Sequence, residues 1–166
     1  FPTRALPISP LWGRFWENPT LDPDTRQLFL TFRQAARDRL ASGSVALDHG
    51  LIHADLVREN VLLDGPHLRM IDFDDGGFGF RQFDVATVLL KNMAEPAYPA
   101  LKSALIAGYH SRRALDLSSL QIFLAIRALT YVGWIMPRIH EDGGDQRNAR
   151  FVAEARTLCT AFFHDT

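Results

Sequence analysis

The sequence predicts an α+β domain in which helices dominate, and three observations lead to that class. Two short apolar segments, Val61–Leu63 and Leu68–Ile71, flank Asp64-Gly65-Pro66, which has the composition of a tight turn. A third apolar segment, Leu51–His53, comes shortly before them. From Phe83 onward, apolar residues recur at helical spacing almost to the end of the chain. All 166 residues are expected to form a single domain with a substantial core.

The N-terminal part is expected to be an irregular lead followed by one helix. Residues 1–23 are rich in proline, and Trp12, Phe15 and Trp16 are the expected packing anchors of this lead. Asp22-Pro23-Asp24 predicts a helix start, because Asp is favoured as the N-cap and Pro at the first helical position. Ser42-Gly43 is the expected end of that helix.

The part after the strands is expected to be a glycine-rich loop and then helices. Gly76, Gly77 and Gly79 indicate a flexible loop, and they match neither a P-loop nor a dinucleotide-binding fingerprint. The apolar stretch Leu120 to Met136 predicts a buried core helix. The helices are expected near residues 82–93, 97–113, 117–138 and 144–163.

Composition excludes several classes of protein. Hydrophobic residues make up 47% of the chain, and 18 basic side chains nearly balance 19 acidic ones, so no basic surface for nucleic acid is expected. A single cysteine, Cys159, predicts no disulfide framework, a buried position in a helix and a cytoplasmic setting. Arg127 interrupts the most apolar stretch, so no membrane span is expected. The proline-rich lead does not have the pattern of a signal peptide, and because it does not begin with Met we expect the natural protein to begin upstream.

The polar residues around the predicted hairpin indicate the chemistry. A hairpin centred near Gly65 or Pro66 places Asn60 opposite residue 71 or 72, so Asn60 and Asp72 meet at one end of a two-stranded ribbon. A carboxylate and an amide oxygen are hard ligands that suit Mg²⁺, which also takes ligands from phosphates. The strand through Ile52 brings Asp55 to a nearby loop, where it can orient an attacking hydroxyl. Such a set of residues provides the positioning and charge neutralisation that phosphoryl transfer needs.

Two linked motifs resemble those of a known superfamily. His53-x-Asp55-x₄-Asn60, followed by Ile71-Asp72-Phe73-Asp74, is similar to the catalytic loop and metal-binding motif of the aminoglycoside phosphotransferase and choline kinase superfamily. The branch that it most resembles includes type II homoserine kinase-like and stress-response kinase-like proteins, and the diagnostic segment is 51–88. The resemblance implies the C-terminal lobe of a protein-kinase-like fold. It also implies an enzyme that uses ATP and Mg²⁺ to phosphorylate a hydroxyl of an amino alcohol, a hydroxy amino acid, an aminoglycoside or a protein serine or threonine.

The resemblance also implies a role for individual residues. Asp55 would accept a hydrogen bond from the substrate hydroxyl, and Asn60 and Asp72 would hold Mg²⁺ against the nucleotide phosphates. His53 is expected to support the catalytic loop, and Asp84 is expected to brace it from the following helix.

Two aspartates remain open at this stage. Asp74 and Asp75 follow the metal-binding motif directly. They are expected either to support the site or contact the substrate, or to lie in a solvated loop.

One half of a kinase-like fold has no counterpart in the sequence. Such a fold has a strand-rich N-terminal lobe with a loop over the phosphates and a lysine that contacts them. Here the lysines are Lys91 and Lys102, both in predicted helices after the motifs, and no glycine-rich nucleotide loop precedes Asp55. We therefore expect the nucleotide-covering lobe to be absent from this chain, to act as its partner, and to be needed for activity.

Two other functions are compatible with the same residues. A metal-dependent phosphohydrolase would assemble a two-metal site from His49, His53, Asp55, Asp72 and Asp74. A non-catalytic kinase-like binding module would keep the site without turnover.

Overall fold

The computed structural model describes residues 13–42 and 48–164, so the predicted anchor Trp12 and the predicted helix stop at Gly43 lie outside the described residues. The predicted α+β class with dominant helices is confirmed. Short 3₁₀ turns cover Phe15–Glu17, Arg58–Asn60 and Met136–Arg138. The helices and strands are, in chain order, α1 Pro23–Ala41, β1 His49–Ile52, β2 Val61–Asp64, β3 His67–Met70, β4 Gly77–Phe80, α2 Arg81–Asn92, α3 Tyr98–His110, α4 Leu120–Trp134 and α5 Gly144–His164.

The chain divides into two compact units. The described part of the central unit is residues 48–120, which contain all four strands together with α2 and α3. The described part of the helical unit is residues 13–42 and 121–164, which contain α1, α5 and nearly all of α4. No helix in the described part of the chain is both long and apolar enough to cross a membrane.

Strands β2 and β3 form the predicted hairpin. Val61 pairs with Met70 and Asp64 with His67, which leaves Gly65 and Pro66 as a two-residue loop. Gly65 has a φ of 56°, a left-handed conformation that glycine adopts without steric cost and that two-residue hairpin loops require. This register places Asn60 next to β3, and the Ile71 amide donates to the Asn60 carbonyl at 3.0 Å.

The prediction of a flexible loop was wrong at Gly77 and Gly79. Residues Gly77–Phe80 form β4, which pairs antiparallel with β1, with Ile52 opposite Gly77. Glycines lower strand propensity, but pairing with a strand distant in the sequence supplies backbone hydrogen bonds that local composition does not reveal. Gly76 is in a turn immediately before β4, with its amide donating to the Phe73 carbonyl at 2.8 Å.

Helix α2 provides the core of the central unit. It begins directly after β4 and packs against β1 and α3. Its apolar side chains are buried at helical spacing, namely Phe83, Val85, Ala86, Leu89 and Leu90. Helix α3 ends at His110, short of the predicted boundary at residue 113.

The helical unit begins as the sequence predicts. Asp22 caps α1, with its carboxylate accepting from the amide and the hydroxyl of Thr25, both at 2.8 Å. The backbone hydrogen bond from Thr25 lowers the pKa of Asp22. Pro23 occupies the first helical position.

Aromatic and apolar packing joins the elements of the helical unit. Phe32 of α1 meets Phe162 of α5 edge to face, with ring centroids 5.1 Å apart. Helix α4 is largely buried, as predicted, and its Val132 carbonyl accepts from the buried Asn18 at 2.9 Å. Cys159 is buried in α5, as predicted, and burial raises the pKa of its thiol.

Candidate active site

A short turn joins two of the predicted site residues. Between β1 and β2 the chain makes a bend and then the 3₁₀ turn Arg58–Asn60. The side-chain amide nitrogen of Asn60 donates to the backbone oxygen of Asp55 at 3.0 Å and to its carboxylate at 3.3 Å. Asn60 is buried, and Asp55 is half-buried. The side-chain nitrogen of Asn60 donates to Asp55, and its side-chain oxygen is the atom that can bind a cation.

Asp84 holds the loop that carries Asp55. The backbone amides of His53 and Ala54 donate to the two carboxylate oxygens of Asp84 at 2.7 and 2.8 Å. Asp84 lies in the first turn of α2. It ties the start of the loop to a helix that is itself packed in the core.

Two residues of the site have a backbone conformation that residues other than glycine rarely adopt. Ala54 has a φ of 68° and Asp72 a φ of 61°, and among the described residues they are the two non-glycine positions with positive φ. One immediately precedes Asp55, and the other is the predicted metal ligand. Strained residues of this kind cluster at functional sites, where surrounding contacts hold them in place.

His53 connects the loop to the end of the hairpin. Its Nε2 lies 2.8 Å from the carbonyl of Ile71, and its ring centroid lies 4.5 Å from that of Phe73. The hydrogen bond to a carbonyl places the proton on Nε2. Since Ile71 also pairs with Asn60, the segment that delivers Asp72 is attached to the loop at two points. The supporting role expected for His53 stays a prediction.

The donor atoms of Asn60 and Asp72 are of the kind that a magnesium ion bound also by phosphates requires. Asn60 and Asp72 offer one amide oxygen and one carboxylate, and a small oxygen set suits Mg²⁺ because it keeps several waters. Nowhere in residues 13–42 and 48–164 do three or more His, Cys, Asp or Glu side chains form a group that could hold a metal. The two-metal alternative with His49, His53, Asp55, Asp72 and Asp74 therefore lacks a ligand set in the described structure.

The two aspartates left open by the sequence lie in a turn after the metal-binding motif. Asp74 is exposed to solvent, whereas Asp75 is half-buried. Both positions precede Gly76, whose amide closes the turn on the Phe73 carbonyl. Asp72 is exposed as well, so Asp74→Ala is a control matched in exposure for Asp72→Ala in a metal-binding experiment.

Sequence reasoning missed two features of the site. One is the left-handed Ala54, and the other is Arg58, whose side chain reaches from the 3₁₀ turn to Asn92 and Glu95 at the end of α2. No local pattern marks either one, because each depends on which distant residues the fold brings near. An arginine two residues before Asn60 was visible, but its partners lie more than thirty positions away.

Comparison with known proteins gives the class. The profile of the phosphotransferase enzyme family matches residues 10–122, about two thirds of the chain. The chain therefore belongs to the phosphotransferase enzyme family.

Individual relatives lie within the same class. A homoserine kinase of Pseudomonas aeruginosa is 43% identical over 72 residues, which are 41% of this chain and 23% of that protein. A microcompartment-associated aminopropanol kinase superimposes with a TM-score of 0.80 at 25% identity, covering 94% of this chain and 50% of that one. An amicoumacin kinase in complex with AMP-PNP, Ca²⁺ and Ami has a TM-score of 0.67 at 20% identity, covering 86% of this chain and 48% of that one. The chain thus spans half or less of the length of these relatives.

Proposed function

We propose that the protein transfers the γ-phosphate of ATP to a hydroxyl group of a small molecule, with Mg²⁺ as the metal. The observation that carries this proposal is the joining of Asp55, Asn60 and the Asp72 segment through the hydrogen bonds of Asn60 to Asp55 and of Ile71 to Asn60. The nucleotide analogue bound to the amicoumacin kinase supports ATP as the donor. A protein that consumes ATP in this way is expected in the cytoplasm.

Each residue then has a definite task. Asp55 accepts a hydrogen bond from the acceptor hydroxyl and points it at the phosphorus. Phosphoryl transfer depends mainly on positioning, so orientation of the hydroxyl by Asp55 matters more than proton removal. Asn60 and Asp72 would hold Mg²⁺, which when bound neutralises charge on the transferred phosphoryl group. His53 and Asp84 keep Asp55 and Asp72 in place without touching the substrate.

The acceptor is best sought among amino alcohols and hydroxy amino acids. The aminopropanol kinase and the homoserine kinase act on compounds of these two kinds, as their names state. The test is an ATP-consumption screen of the full-length protein with amino alcohols, hydroxy amino acids, aminoglycosides and protein substrates. Nucleotide binding without turnover on any acceptor would favour the non-catalytic binding module, and phosphate release without ATP would favour the hydrolase.

The metal assignment has its own experiment. Asp72→Ala should abolish Mg²⁺-dependent binding of nucleotide by the full-length protein, and Asp74→Ala should affect it much less. Asp55→Asn should leave nucleotide affinity nearly unchanged while lowering kcat about 10²-fold or more. Equal metal-dependent binding by wild type and Asp72→Ala would reject the ligand assignment.

A second lobe is proposed to cover the exposed face of the hairpin. One face of β2–β3 carries four apolar side chains, because cross-strand partners and alternate residues point to the same side. They are Val61, Leu63, Leu68 and Met70. Leu63 is 76% exposed and Leu68 is 72% exposed, which is unusual for neighbouring large apolar side chains. The relatives are at least twice as long as the part matched here. We propose that the full-length protein contains a nucleotide-covering lobe that packs on this face.

This interface can be tested apart from catalysis. Leu68→Gln should change the free energy of unfolding of the 166-residue chain by less than about 0.5 kcal/mol, because the side chain is already in water. The same substitution should lower that of the full-length protein by about 1–2 kcal/mol if the face is covered. Identical small effects in both would show that the face stays exposed.

A further inference from the structure

The 3₁₀ turn that carries Asn60 is held from two sides. On one side, the carbonyl of Asn60 accepts from Ile71, which follows β3. On the other side, Arg58 reaches the C-terminal end of α2, where its Nη2 lies 2.6 Å from Asn92 Oδ1 and 3.1 Å from Glu95 Oε1. Within the turn, the backbone N–H of Asn60 donates to the Val57 carbonyl at 3.1 Å.

The partners of Arg58 are themselves fixed. The side-chain nitrogen of Asn92 donates to the Val88 carbonyl at 2.7 Å, one helical turn back in α2. The backbone amide of Glu95 donates to the Asn92 carbonyl at 3.0 Å. A guanidinium at the C-terminal end of a helix is also favoured by the helix dipole. Arg58 therefore links a single 3₁₀ turn, an element with little internal hydrogen bonding, to the end of a buried helix.

We propose that Arg58 is a positioning residue for the metal site, acting through Asn60. By fixing the turn against α2, Arg58 keeps the side-chain oxygen of Asn60 directed toward the metal ion that Asn60 and Asp72 would bind together. The inference rests on the proposed function, because it takes Asn60 and Asp72 as the magnesium ligands. In this role Arg58 itself touches neither metal nor substrate.

The size of the effect follows from the exposure of the contact. The side chain of Arg58 is 67% exposed, and exposed ion pairs contribute little to stability. Its loss should leave the fold intact and let the turn sample orientations that do not bind metal. We expect the apparent affinity for metal to fall about three- to ten-fold, the range for the loss of one ordinary hydrogen bond, because solvent weakens the contacts of an exposed guanidinium.

The chain offers a matched control. Arg69 also donates to an acidic side chain, Asp64, at 2.7 Å, and its side chain is 64% exposed. This pair lies near the turn end of the hairpin, whereas Asn60 lies at the opposite end. Arg69→Ala therefore removes the same charge from a similar environment without releasing Asn60.

The experiment measures Mn²⁺ binding to the full-length protein in the presence of AMP-PNP, by electron paramagnetic resonance. Arg58→Ala should bind Mn²⁺ about three- to ten-fold more weakly, Arg58→Lys should recover part of the loss, and Arg69→Ala should match wild type. Asn92→Ala should weaken binding in the same direction, and Arg58→Ala with Asn92→Ala should be less than additive because both remove one contact. High salt should reduce the difference between wild type and Arg58→Ala. At saturating metal, kcat of Arg58→Ala should approach that of wild type.

The outcomes separate this inference from the proposed function. If Asp72→Ala weakens Mn²⁺ binding and Arg58→Ala does not, the positioning role is wrong and the metal assignment stands. If Arg58→Ala and Arg69→Ala weaken binding equally, the effect is one of net charge and the role is again wrong. If Asp72→Ala leaves Mn²⁺ binding unchanged, the proposed metal site fails and the inference fails with it.

Discussion

Asp84 is the residue whose removal should disturb the candidate site most without touching any ligand. Its carboxylate accepts from two consecutive buried backbone amides, those of His53 and Ala54, at 2.7 and 2.8 Å. Asp84→Ala would leave both amides, which belong to buried residues, without this acceptor. Hydrogen bonds to charged groups contribute about 1.5–3 kcal/mol each, so the two bonds together represent about 3–6 kcal/mol.

Relief of backbone strain offsets part of that loss. Ala54 has a φ of 68°, and a residue in this region costs on the order of 1 kcal/mol or more when surrounding contacts hold it there. Once Asp84 is gone, the loop can relax. The expected net loss in the free energy of unfolding is therefore about 2–5 kcal/mol. Asp84→Asn keeps one acceptor oxygen but sets an amide NH₂ against a backbone N–H, so it should lose about half as much or more.

The assay is urea denaturation of the 166-residue chain, followed by circular dichroism, with Asp24→Ala as the control. Asp24 lies in the first turn of α1 and is exposed, so its substitution removes the same favourable charge near a helix N-terminus. That charge is worth about 0.3–1 kcal/mol. If Asp84→Ala is no more destabilising than Asp24→Ala, the two backbone hydrogen bonds do not hold the loop, and the reasoning is refuted.

Two further predictions concern the backbone of the loop and an ion pair at the start of β1. Ala54→Val should lower the free energy of unfolding by about 2 kcal/mol, because a β-branched residue at positive φ is strained. Ala54→Gly should change the free energy of unfolding by less than about 1 kcal/mol. Equal unfolding midpoints for the two variants would contradict this prediction. Asp48 accepts from Arg113 and also from Arg81, and the Arg113 hydrogen bond lowers the pKa of Asp48 in the folded state. Its contribution to stability is therefore complete above its unfolded pKa of about 3.9 and is lost as the pH falls through the lower folded value. The difference in unfolding free energy between wild type and Asp48→Asn should accordingly shrink as the pH is lowered from 7 to about 2. A difference that is constant over this range would show that the ion pair does not stabilise the fold.

The hairpin and its register could be predicted from the sequence because the information is local. Asp64-Gly65-Pro66 admits few turn geometries, and once the turn is set, the pairing of every residue back to Asn60 follows. The start of α1 could be predicted for the same reason, since the Asp22 cap and Pro23 act over three residues. The helices after the hairpin followed from their apolar spacing, with errors of a few residues at their ends.

Strand β4 could not be predicted in the same way. Gly77–Phe80 contains two glycines and has no local preference for a strand, and it becomes one because β1 presents unpaired backbone groups to it. The contacts of Arg58 with Asn92 and Glu95 are equally non-local. In both cases the partner residues lie about thirty positions away in the sequence, and the local composition does not reveal them.

The hydrogen bonds that shape the candidate site lie close together in the chain. The hydrogen bonds that join Asp55 to Asn60, Asn60 to Ile71, and His53 to Ile71 and Asp84 all lie within the central unit. Two of these residues, His53 and Asp84, act on backbone geometry, so the strained conformations at Ala54 and Asp72 are supported from nearby. The backbone geometry of the candidate site is thus encoded between residues 48 and 95. The exposed apolar side chains of the hairpin, Leu63 and Leu68 among them, form the surface on which the proposed nucleotide-covering lobe would pack.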